Sequence, residues 1–268
     1  MASTSTTTGA TAVSSGGAPA AGTTQTPARV PPKRGIPRGD HKAPFVVDLY
    51  RSAVGKKYVM AITGIMLMGF VLAHMIGNLK MYLGAGDFNH YSEFLREILV
   101  PILPRTVFLW LLRFGLIIAF ALHIHAAYAL TRLNHRARST NYQAKRDYVA
   151  ANYASRTMRT SGIIVGLFIV WHLFDLSWTG TGFHYVRGDA YGNVDNSLSR
   201  IPVAALYVVA NLALGLHLFH GAWSLFQSLG WNNPRFNRWR RNFAVGFAAI
   251  VVVGNVSFPI AVVAGIVH

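Results

Sequence analysis

Five long apolar stretches, separated by clusters of basic residues, restrict this chain more than any single motif does. They cover roughly 58–79, 106–130, 161–178, 201–228 and 243–267. Each is long enough for a helix crossing hydrocarbon about 30 Å thick, which takes roughly 20 residues with tilt and interfacial ends allowed for. Within lipid every backbone polar group must find its partner inside the protein, so segments of this kind fold as helices. An all-α membrane protein follows, with five transmembrane helices in a bundle. Charge content agrees: 13% of the 268 residues are charged, about half the share of a soluble domain. The net charge of +16 does not describe a nucleic-acid-binding face, because the basic residues cluster between apolar spans. With no cysteine, the chain has no disulfide framework, no thiolate metal site and no cysteine nucleophile of its own.

Residues 1–43 are rich in Thr, Ala, Ser, Gly and Pro and cannot bury enough apolar surface to offset their ordering entropy. They read as a disordered N-terminal tail ahead of a transmembrane domain over 44–268. The tail lacks the apolar centre of a secretory signal, and a single Arg in the first 30 residues argues for a plain cytoplasmic tail over a transit peptide. Nineteen of the 25 Lys and Arg residues flank the first span or fill the second and fourth connections, five lie in the first and third, and Arg113 lies within a span. By the positive-inside rule the N-terminus is cytoplasmic and, after five spans, the C-terminus is outside, in a bacterial cytoplasmic membrane.

Six histidines lie inside the spans: His74, His123, His125, His172, His217 and His220. Any one of them alone is well explained as a neutral imidazole bonded to a neighbouring helix. Together they are a functional signal, because ionisable groups are expensive in lipid and the first four spans each carry at least one. At about 1.5 Å of rise per residue, His74 lies roughly 24 Å from the inner end of the first helix and His172 about 16 Å along the third. The second and fourth helices run inward, which places His125 about 28 Å and His217 about 24 Å from their outer starts. One pair sits at an outer level and another at an inner level. Bis-imidazole ligation of iron porphyrin suits such a bundle, and two stacked porphyrins form an electron relay. Gly77, Ala121, Ala129 and Gly221 lie near these histidines and permit close approach of a flat ring, though small residues equally serve helix packing. His123 and His125 point about 200° apart, so only one faces the interior; geometry leaves His217 and His220 open.

Several segments carry a family resemblance. They are Lys56-Lys57 to Thr63-Gly64, Phe70 to Asn78 around His74, His125-Ala-Ala-Tyr128, Ser161-Gly162 to Trp171-His172, and Leu216-His217 through His220 to Ser224. Together, over about 45–267, they resemble the five-helix, single-chain cytochrome b membrane anchor of succinate dehydrogenase and fumarate reductase, respiratory complex II. The resemblance implies two haem b groups, the distal one on His74 and His172 and the proximal one on His125 and His217. It also implies a flavoprotein and an iron–sulfur partner on the cytoplasmic side, and electron exchange with menaquinone or ubiquinone. The chain departs from the family in its additional His123 and His220, which stay as secondary ligand candidates, and its fourth helix carries no carboxylate.

Other polar groups extend the reading. Arg113 is placed to hold a distal haem propionate or to pair with Asp175 of the third helix, since a buried pair avoids an uncompensated charge. Glu93, Glu97 and His90, with Asp87, lie in the first outer loop, where a quinone head group would exchange protons; an ordinary solvated loop is the simpler reading of each. Trp171, Trp178 and Trp223 read as interfacial or packing residues. Arg156 and Arg159 lie at the inner mouth of the third helix, toward an iron–sulfur partner, a proximal propionate or lipid phosphate. Succinate chemistry itself needs a flavin, and no dinucleotide-binding fingerprint occurs, so this chain contributes the quinone site and not the succinate site. Three alternatives remain at this stage. One is a His-ligated non-haem or Rieske-type cluster, whose two cysteines a partner would supply. Another is the cytochrome b anchor of a different respiratory complex. The last is a transporter or structural anchor without cofactor.

Overall fold

Ser52 starts the first long helix: its hydroxyl accepts from the Gly55 amide at 2.8 Å, satisfying one of the amides that a helix start leaves without a partner. The computed structural model describes residues 44–137, 151–177, 185–231 and 233–267, with side chains from 157 onward in the third of the long helices counted along the chain. The N-terminal tail expected over 1–43, Trp178 and the side chain of Arg156 lie outside the described residues. Eight α-helices occur among them: α1 (Phe45–Arg51), α2 (Ala53–Asn78), α3 (Ala85–Glu97), α4 (Val107–Arg136), α5 (Ala151–Leu176), α6 (Ala190–Leu198), α7 (Ile201–Ser228) and α8 (Asn237–Val263). Five of them, α2, α4, α5, α7 and α8, are long and apolar enough to cross a membrane. The chain is an all-helical, multi-pass membrane protein.

The helices outrun the apolar stretches that announce them. α4 continues to Arg136 and α5 begins at Ala151, because a helix does not end where hydrocarbon does. Its basic residues simply reach into the interface. Three shorter helices lie outside the five apolar stretches. α1 precedes α2, α3 joins α2 to α4, and α6 precedes α7. α3 and α6 meet at one end of the bundle, here the cap end: Asn89 donates to Asp189 at 3.0 Å and accepts from the Tyr191 amide at 2.9 Å. Asp189 also caps α6 by accepting from the Gly192 amide. Those two donors, the Gly192 amide first, hold its carboxyl below the usual carboxylate range. Arg132, Arg159, Arg235, Arg238 and Arg241 mark the opposite, basic end.

Backbone packing sorts the spans into neighbours. α7 packs against both α8 and α5, and α2 packs against α4, with lesser contacts from α2 to α7 and α8. α7 approaches α8 closely because Gly215 offers no side chain; a Cβ there would lie 2.3 Å from Val252 Cγ2. Among the described residues no comparable contact joins α2 to α5, or α4 to α7. The backbones of those two combinations stay apart, and it is across these two gaps that the intramembrane histidines meet.

Two facing imidazole pairs

His74 on α2 faces His172 on α5, with ring centres 5.9 Å apart and planes crossed at 83°. His123 on α4 faces His217 on α7, with centres 6.5 Å apart and planes at 68°. Two imidazoles that held one metal ion between them, at about 2.0 Å from nitrogen and roughly 1.1 Å further to the ring centre, would have their centres about 6.2 Å apart. Both pairs lie close to that separation. His125 is elsewhere: its ring stacks on Tyr50 of α1, with centres 5.8 Å apart, and its Nδ1 hydrogen-bonds the tyrosine hydroxyl. His220 is buried and turns its Nε2 to Thr157 at 3.2 Å. Of the four histidines that the resemblance selects, the structure faces His74 with His172 and gives a different partner to His217. It sets His123, not His125, beside the last of them. Two residues of helix separate these neighbours by about 200°, so the phase of α4 alone decides which one faces inward.

Hydrogen bonds fix the tautomer. Thr63 donates its hydroxyl proton to the Val59 carbonyl at 2.7 Å and sits 3.1 Å from His123 Nδ1. A hydroxyl whose proton is already committed can only accept, so His123 carries its proton on Nδ1. Ser161 repeats this arrangement, donating to the Met158 carbonyl at 3.1 Å and facing His217 Nδ1 at 3.5 Å. Tyr207 donates to Asp175 Oδ2 at 2.8 Å and accepts from His172 Nδ1 at 3.2 Å. The Asn78 side-chain NH2 lies 3.3 Å from His74 Nδ1 and donates to it. His123, His217 and His172 thus carry the proton on Nδ1 and keep the Nε2 lone pair for a metal, whereas His74 accepts at Nδ1.

The two levels are regularly spaced. On α2, His74 follows Thr63 by eleven residues, and on α5, His172 follows Ser161 by eleven. Both intervals correspond to about 16 Å along a helix axis. A glycine follows each hydroxyl residue. A Cβ at Gly64 would lie 3.5 Å from His123 Cε1, and one at Gly162 would lie 3.2 Å from His217 Cε1, tight enough to displace the ring. The Thr63-Gly64 and Ser161-Gly162 pairs were visible in the sequence as motifs. Their common distance from the next histidine is the signal that would have marked the second level.

The remaining site candidates fall into place around these pairs. Asp175 does not pair with Arg113: it is fully buried and bridged to Arg200 at 2.9 Å. Arg113 instead lies over the Trp110 ring at 4.9 Å, on an exposed face of α4. Glu93 of α3 accepts from both Arg96 and Arg105, and Glu97 is 3.4 Å from Arg105, so both carboxylates are engaged in ion pairs. His90 is exposed on the same helix. Arg159 reaches His135 at 3.3 Å at the basic end. Among the described residues no cluster of three or more His, Cys, Asp or Glu gathers around a point. Two facing imidazoles at each level fit an ion that takes two protein ligands and would bring the others with it, as the iron of a porphyrin does.

Fold and site together define a multi-pass helical membrane protein with two stacked bis-histidine pairs. Comparison with known families matches residues 132–256 to the succinate dehydrogenase/fumarate reductase transmembrane subunit. The matched segment contains His172, His217 and His220, and the resemblance read from the first helices extends it toward the N-terminus. The match covers just under half of the chain, and over that segment the chain is similar to this transmembrane subunit. Neither the curated proteins nor the solved structures offer a match.

Proposed function

We propose that this chain is the membrane-anchor, electron-transferring and quinone-reactive subunit of a succinate:quinone oxidoreductase in a bacterial cytoplasmic membrane. It would carry two haem b groups, one on His74 and His172 near the cap end and one on His123 and His217 toward the basic end. The supporting observation is the pair of facing imidazoles at each level, with the Nδ1 protons of His123, His217 and His172 committed, across helices whose backbones stay apart. Haem, when bound, supplies reversible one-electron chemistry. The chain's own residues fix the ligand rings, hold the two levels about 16 Å apart and exclude bulk water from the span.

His123 takes the place of His125 in this proposal because its ring faces His217, whereas His125 is engaged by Tyr50. A Rieske-type cluster is the weaker reading, since it needs two cysteines that this chain lacks. Basic residues at one end suit a cytoplasmic face that receives a flavoprotein and an iron–sulfur protein, with quinone exchanged in the membrane. The test is purification of the complex through a tag on this chain. Co-purification of a flavin-containing and an iron–sulfur polypeptide, with succinate-dependent quinone reduction, is expected. Purification with subunits that oxidise hydrogen or reduce nitrate would refute the assignment.

A further inference from the structure

The two imidazole pairs are not equivalent, and the difference lies behind His172. His123 and His217 each rest on an aliphatic hydroxyl whose proton goes to a backbone carbonyl, a neutral arrangement. His172 rests on Tyr207, whose proton goes to the carboxylate of Asp175. Asp175 is fully buried and further accepts from Ser197 and Arg200. Four side chains from α5, α6, α7 and the turn before α7 are thus strung into one chain ending on His172 Nδ1. Tyr207 is buried too, and its ring packs edge-on against Phe168, with centres 4.9 Å apart, which leaves the phenol little freedom to turn.

We infer that Tyr207 and Asp175 are positioning residues for His172. They set its ring orientation and its electron donation to whatever metal its Nε2 binds. A phenol that donates to a carboxylate becomes a stronger acceptor, and it draws the Nδ1 proton and makes the imidazole more basic. A more basic axial ligand favours the ferric over the ferrous state, so this hydrogen bond lowers the reduction potential of the cap-end centre alone. The inference rests on the haem reading above, and it assigns Asp175 a purpose that neither packing nor the ion pair with Arg200 requires.

The test uses the tagged, purified complex and compares wild type, Tyr207→Phe and Asp175→Asn by redox titration and by electron paramagnetic resonance of the oxidised protein. Tyr207→Phe keeps the ring and removes the acceptor; Asp175→Asn keeps the tyrosine and removes the charge. In both variants one centre should titrate at higher potential while the other stays in place. Its reduced-to-oxidised ratio at fixed ambient potential should rise roughly tenfold in Tyr207→Phe, the effect expected from losing one charge-assisted hydrogen bond. The low-spin ferric signal of that centre should shift with the angle between its imidazole planes. Unchanged potentials and spectra in both variants, or an equal shift of both centres, would overturn the positioning role while leaving the haem reading standing. Wild-type protein that contains no haem would overturn the haem reading itself, and the inference with it.

Discussion

Replacing His123 and His125 one at a time separates two readings of the same helix. His123 lies 6.5 Å from His217 between ring centres, close to the separation of about 6.2 Å for two imidazoles on one ion, and Thr63 holds its Nδ1 at 3.1 Å. His125 projects about 200° away, against Tyr50 of α1. His123→Ala would remove one of the two imidazoles proposed to hold haem at one level and touches nothing at the other, where His74 and His172 lie roughly 16 Å further along the bundle. About half of the haem, and about half of the reduced-minus-oxidised absorbance, should therefore disappear. His125→Ala should keep both, at the cost of the contact that seats α1. The assay is haem per chain in membranes, with dye-linked succinate oxidation as the control for assembly. Retention of full haem by His123→Ala, with loss in His125→Ala, would refute the argument from ring geometry.

Other outcomes follow from particular contacts. Arg200→Ala leaves the fully buried Asp175 carboxylate without its cation and should destabilise the protein by about 3–5 kcal/mol in a thermal melt in detergent, whereas Asp175→Asn should cost distinctly less. An equal effect of the two would contradict the burial argument. Asp189 has a depressed pKa, so its contribution to the α3–α6 contact is complete above the unfolded value of about 3.9 and is lost as pH falls through its lower folded value. Asp189→Asn should abolish that acid-induced loosening, read as protease sensitivity at the cap end below about pH 4. Cap-end cleavage that begins near neutral pH would count against this linkage. A reporter fused after His268 should be active only outside the cytoplasm, given the partition of basic residues; cytoplasmic activity would reverse the orientation.

The spans were legible in the sequence because apolar length is a property of the chain itself. The fourth agrees at both ends with α7 (Ile201–Ser228), where Arg200 closes one end of the apolar run. The other boundaries drift, since α4 runs on to Arg136 and α8 starts at Asn237 among arginines that hydropathy rejects but a helix tolerates. α3 and α6 were invisible: their stability depends on Asn89 and Asp189 meeting across a hundred residues. Within the site, the facing of His74 and His172 at the cap end was readable because each of those helices has one candidate histidine at that level. The facing of His123 and His217 was not, because histidines two apart exchange places with a change in helix phase, and α4 takes its phase where it packs on α2. Tyr207 gave no signal at all. A tyrosine in an apolar run looks like packing until Asp175, on another helix, is known to accept its proton.

The central claim is that this chain holds two bis-histidine haem groups. Extracting the tagged, purified complex and counting protohaem per chain by its pyridine adduct addresses it without reference to activity. About two haem b per chain are predicted, with two resolvable low-spin ferric signals and one fewer in each of His123→Ala and His172→Ala. A complex that reduces quinone with succinate yet contains no haem would contradict the account.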